Sequence, residues 1–191
     1  MRLGGVYTLA NLADEWLTDT SFPEQVRREE AQTIINALTG CIRTPYPLAQ
    51  KRQVLEADEA PEGYEGDFTR DQEALREEQL VRRTVFTEFS RRLAAVAEST
   101  KKDNEESQHA VPPISPMWAD LRFDFSGAPI FYPLRQLHFQ NADFASAAFY
   151  GPADFFGATF HGDTSFSAVQ FTANASFNSA NFNDWVGFSA A

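Results

Sequence analysis

The stretch ADFFGATFHGDTSFSAVQF, Ala153 to Phe171, places phenylalanine at 155, 160, 166 and 171. A strand shows alternate residues to one face, so a step of five sends successive rings to opposite sides. A helix turns about 100° per residue, so steps of five and six spread the rings over two stripes. Neither element accounts for the spacing. A chain that turns a corner at every step does, because each short side then points one ring inward.

The pattern extends in both directions. Phe139, Phe144 and Phe149 are five apart, and from Phe155 the steps alternate five and six through Phe160, Phe166, Phe171, Phe177, Phe182 and Phe188. These ten rings form the expected axial stack. Two residues before most of them sits a small residue: Ala142, Ala147, Ala153, Ala158, Thr164, Ala175 and Ala180, with Val169 and Val186 slightly larger. These are the expected inward-facing small positions. A combined period of 11 also describes a right-handed helical supercoil, but Gly151, Pro152, Gly157, Gly162 and many Asn, Asp and Ser oppose a helix. Four sides make a coil of about 20–22 residues, and stacked coils make a parallel β-solenoid.

NADFASAAF (141–149), ADFFGATF (153–160) and SANF (179–182) resemble the pentapeptide-repeat family, whose unit is Ala, then Asp or Asn, then Leu or Phe, then two polar residues. The resemblance covers about 134–188 and implies a right-handed quadrilateral parallel β-helix. The stretch 126–138 departs from it, because Pro129, Tyr132 and Pro133 break the register and leave the first coil undefined. RLGGVYTLANLA (2–13), EEAQTIINALTGCIRTPYP (29–47), VRRTVFTEF (81–89) and MWADLRFDFSGA (117–128) are similar to a group of bacterial pentapeptide-repeat proteins that place a small helical module before the repeats. Some of those relatives carry membrane helices upstream of the Arg-Leu-Gly-Gly segment, so a shortened member is expected here. The family as a whole has no assigned biochemical activity.

The expected fold is α plus β-solenoid: a helical module over 1–97 with an acidic loop at 48–66, a linker over 98–117, and a short pentapeptide-repeat β-helix over 118–191. The first helix covers about 3–17, with Val6, Leu9, Ala13, Trp16 and Leu17 on one face. The second opens on Ser21-Phe22-Pro23-Glu24, a capping-box pattern, buries Ala31, Ile34, Ile35, Leu38, Cys41 and Ile42, and stops before Pro45 and Pro47. The third spans 68–97 with a buried stripe of Val81, Val85, Phe89, Leu93 and Val96. Arg82, Arg83, Arg91 and Arg92 are expected on a solvated face, paired with Glu77, Glu78 and Glu88. The linker is polar, then proline-rich.

Composition narrows function. The net charge is −11, which opposes phosphate-backbone binding, so no direct nucleic-acid contact is expected. Ten acids lie in 56–78 against Arg70 and Arg76, the mark of a solvated acidic segment. The single cysteine, Cys41, excludes an internal disulfide, fits a reducing compartment and the cytoplasm, and is expected as a buried core thiol. No apolar run approaches the roughly 20 residues of a membrane span.

His109, His138 and His161 share no metal-ligand spacing with Cys41, and the latter two are expected to face solvent. Gly4-Gly5 lies in a helix, and no phosphate-loop pattern exists. Asp143, Asp154, Asp163 and Asp184 sit near corners, where turn hydrogen bonding explains them better than acid–base work. No catalytic, cofactor or metal site is therefore expected, and the chain reads as non-enzymatic. The expected role is a protein-interaction or scaffold module, with end-to-end homodimerisation through the last coil. The alternative follows from the family resemblance: some pentapeptide-repeat proteins mimic duplex DNA and modulate DNA gyrase.

Overall fold

Two amphipathic helices open the chain in the computed structural model, which describes residues 3–102 and 116–189. Helix α1 (Leu3–Thr18) buries Val6, Ala10, Ala13 and Leu17, three or four residues apart, against α2 (Glu24–Arg43). Helix α2 answers with Ala31, Ile34, Ile35, Leu38 and Ile42. The expected capping box does not form. Pro23 is the N-cap and makes no side-chain cap bond, while the Ser21 hydroxyl donates to Asp19 at 2.6 Å. Cys41 is half-buried rather than in the core, and partial burial still pushes its thiol pKa up.

The acidic stretch 48–66 is not all loop. A 3-10 turn (Pro47–Lys51) runs into the short α3 (Arg52–Leu55), and both Ala49 and Leu55 are buried. Two apolar anchors thus order a segment whose composition reads as solvated. Helix α4 (Phe68–Lys102) follows and buries Leu75, Val85, Phe86, Phe89 and Leu93. Val81 is half-buried, and the side chain of Val96 lies outside the described residues. So do positions 103–115 of the expected linker, with His109 among them. The chain resumes in a second 3-10 turn (Pro116–Asp120). Among the described residues, no helix is long and apolar enough to cross a membrane.

Twelve two-residue strands then follow: β1 (Phe123–Asp124), β2 (Pro129–Ile130), β3 (His138–Phe139), β4 (Ala142–Asp143), β5 (Ala148–Phe149), β6 (Ala153–Asp154), β7 (Thr159–Phe160), β8 (Thr164–Ser165), β9 (Gln170–Phe171), β10 (Ala175–Ser176), β11 (Asn181–Phe182) and β12 (Val186–Gly187). They stack as four parallel sheets, ordered β1-β4-β8-β12, β2-β5-β9, β3-β7-β11 and β6-β10. Ala142, Thr164 and Val186 are in register, so a regular coil takes 22 residues.

The stretch 126–138, whose register the sequence left undefined, forms a coil. It is a shorter one, with Phe123 paired to Ala142 and Pro129 to Ala148, 19 residues on. Pro129 is tolerated because the bonds flanking it run from Ala148 N–H to Ala128 and from Tyr150 N–H to Ile130, and neither uses the proline nitrogen.

Corners are of two kinds that largely accompany the steps of five and six; Gly151, two after Phe149 in a six-residue step, is left-handed too. The five-residue steps turn through a left-handed residue two after the ring. Gly127, Ser146 and Ala168 form one column of such corners, and Gln136, Gly157 and Ser179 another. These corners also bond from coil to coil, as from Gly127 N–H to Ala145 and from Ser146 N–H to Ser167, both at 2.8 Å.

Candidate functional site: the two ends and one face of the solenoid

Inside the coils, rings stack directly above one another. Phe144 lies 5.1 Å from Phe166 at an interplanar angle of 2°, and Phe166 lies 5.0 Å from Phe188 at 7°. A second column joins Phe139, Phe160 and Phe182 at 4.9 Å per step. Phe155 stacks on Phe177 at 4.7 Å, and Phe149 meets Phe171 at 5.1 Å.

Burial falls along the stack. Phe139, Phe144, Phe149, Phe155, Phe160 and Phe166 are buried, Phe171 and Phe177 are half-buried, and Phe182 and Phe188 are 42% and 47% exposed. The small positions follow the same gradient. Ala142, Ala147, Ala153, Ala158 and Thr164 are buried, whereas Ala180 is half-buried and Ala175 exposed. The last coil is uncovered because no further coil lies on it among the described residues.

The first coil is covered. Helices α2 and α4 lie across it, and Phe86 and Phe89 pack on Phe125, Phe139 and Phe123. Polar side chains meet the backbone edge. Gln32 donates to the Arg122 carbonyl and accepts from the Arg122 N–H, both at 2.9 Å, as a neighbouring strand would. Arg43 Nε donates to Ser126, Gln79 donates to Phe131, and Ser90 Oγ accepts from the His138 N–H.

Two of the four arginines expected on a solvated face are buried instead, Arg82 at 2% exposure and Arg92 at 3%. Arg82 donates to Glu78 and to the Ile42 and Thr44 carbonyls at the end of α2, with its guanidinium over the Tyr46 and Phe131 rings. Arg92 joins Glu88, Asp14 and Asn11 and lies over Trp118, whose indole N–H donates to Asp14 at 2.7 Å. Planar guanidinium donors bridging several acceptors make such burial tolerable.

His138 and His161 do not simply face solvent. Both are half-buried and stacked, with centroids 5.1 Å apart and His138 Nδ1 2.8 Å from His161 Nε2. Coil register brings together residues distant in sequence. Three of the four corner aspartates accept turn hydrogen bonds: Asp143 from Ala145, Asp154 from Phe156 and Asp184 from Trp185. Asp163 borders a groove of about 900 Å³ on the sheet β1-β4-β8-β12, together with Asp143, Arg122, Arg28 and Trp185. Sequence reasoning passed over Trp185. Its signal was a large aromatic at an outward position of the repeat.

No curated protein and no solved structure matches this chain. Residues 144–191 match the family model described as pentapeptide repeats (9 copies). The stacked parallel strands, the ring columns and this match agree: residues 144–191 carry pentapeptide repeats, and a helical region precedes them.

Proposed function

We propose that this protein is a non-enzymatic interaction or scaffold module of the cytoplasm, acting through its rigid repeat surface. One observation carries the reading. The solenoid is closed at one end by helices, while the other end leaves Phe182, Trp185 and Phe188 exposed. The stretch 170–189 carries one charged residue, Asp184, so a second copy of the chain meets little repulsion there. In this reading, residues 1–97 serve as the cap, 98–117 join the cap to the repeats, and 118–191 are the working surface.

Light scattering over a range of concentrations tests it. Dimers at high concentration, lost on Phe188→Glu, are expected. A chain that stays monomeric and retains no partner would count against the reading. The gyrase alternative finds weaker support, because three to four rungs at about 4.8 Å each make a short rod. Inhibited supercoiling in the presence of the protein would promote it.

A further inference from the structure

On the sheet β1-β4-β8-β12, the residues flanking each inward position stand outward. One outward column reads Arg122, Asn141, Asp163, Trp185, and the other Asp124, Asp143, Ser165, Gly187. The last coil departs from both. An indole, 58% exposed, stands where other coils carry polar side chains, and a glycine stands where they carry Asp or Ser. The two departures belong together. A β-carbon on Gly187 would collide with the six-membered ring of Trp185, so the indole lies across the glycine. The backbone does not demand glycine there, since its φ is not in the left-handed region.

The indole therefore stands at one end of the groove of about 900 Å³. Asp163 sits one coil below it, about 4.8 Å away along the stack, while Asp143 lies two coils below it in the other outward column. Among the described residues, neither aspartate forms an ion pair, whereas Arg28 in the same groove is held by Glu24 and Asp120. An exposed indole face beside an uncompensated carboxylate favours a guanidinium: the ring takes its flat face, and the carboxylate takes its N–H groups. Arg122 borders the opposite end and disfavours a second cation there.

We infer that this groove docks an extended segment of a partner protein carrying an arginine, with the guanidinium held by Asp163 against Trp185. The inference rests on the interaction reading above and names the partner's chemistry. The test is fluorescence anisotropy of the full chain with a labelled Gly-Ser-Arg-Ser-Gly peptide, beside the same peptide with citrulline in place of arginine. Saturable binding of the arginine peptide is expected, about tenfold weaker for citrulline and about tenfold weaker for Trp185→Ala or Asp163→Asn. Gly187→Ala, which must displace the indole, weakens binding while circular dichroism stays unchanged. Glu59→Gln with Glu62→Gln, in the acidic loop, leaves it intact.

Equal binding of the two peptides, no saturable binding, or equal loss in the acidic-loop variant overturns the inference. A chain that dimerises in light scattering yet ignores the arginine peptide retains the interaction reading and loses this one.

Discussion

Phe160 and Phe182 occupy the same column, 4.9 Å apart, but they do not have the same environment. Phe160 has column rings on both sides and no exposed surface, while Phe182 has a column ring on one side only and is 42% exposed. Phe160→Ala should cost about 3–5 kcal/mol, since a dry axial cavity cannot collapse between fixed coils. Phe182→Ala should cost about 1 kcal/mol, mostly lost contact area. Urea denaturation of both variants checks the contrast, and equal losses would contradict the ring columns. Tyr132 gives the opposite kind of case. Its ring is buried, and its hydroxyl has no hydrogen-bond partner among the described residues; burial drives its pKa far up. Tyr132→Phe should leave stability unchanged or raise it by about 1–2 kcal/mol, because it removes an unsatisfied polar atom and little volume. A loss of stability in the same assay would reveal a partner for that hydroxyl.

At the scale of elements, corners and helix contacts decide how well neighbouring parts fit. Ala168 sits at φ 54°, in the column where Gly127 stands at 67°. The β-carbon is strained there, and glycine relieves the strain at some cost in unfolded-chain entropy. Ala168→Gly should therefore stabilise by about 0.5 kcal/mol, read as a shift in denaturation midpoint. Arg92 carries polar bonds between α4 and α1, to Asp14 and Asn11, and Glu88 is buried beside it on α4. Burial alone would raise its pKa, but the bonds from Arg92 and Arg91 outweigh this and hold it below the ordinary 4.5. The unfolded chain therefore takes up this proton first. The contribution is complete at neutral pH and is lost as pH falls below 4.5. Glu88→Gln should flatten that part of the stability–pH curve.

These elements also show what the sequence makes legible. Ring spacing is a local signal, and it reveals the solenoid directly. The first coil was hidden because its 19-residue turn abandons the rhythm and fills the interior with Ile130 and Leu134. Arg82 and Arg92 read as surface charges because burial of a charge depends on acceptors from α1 and α2 that no spacing within α4 reveals. The stacked histidines depend on coil register, which is fixed only once the corners are known.

For the molecule as a whole, the decisive feature is the boundary between helices and coils. The buried residues of both regions form one continuous cluster, from Val6 to Val169. Removing residues 1–117 would strip Phe86 and Phe89 from the rings of Phe123, Phe125 and Phe139. It would also leave Arg122, Ser126, Phe131 and His138 without their side-chain partners on the edge. An edge of unpaired backbone beside exposed rings is a template for association, and repeat arrays need a polar cap to stay soluble. A fragment of 118–191 has uncovered rings at both ends and too few coils to bury a compensating core. It should therefore associate or lose its strands, whereas the full chain keeps them. Circular dichroism with light scattering on the two proteins decides it: a cooperative, monomeric fragment would mean that the ring columns stand alone and that the helices merely adjoin them.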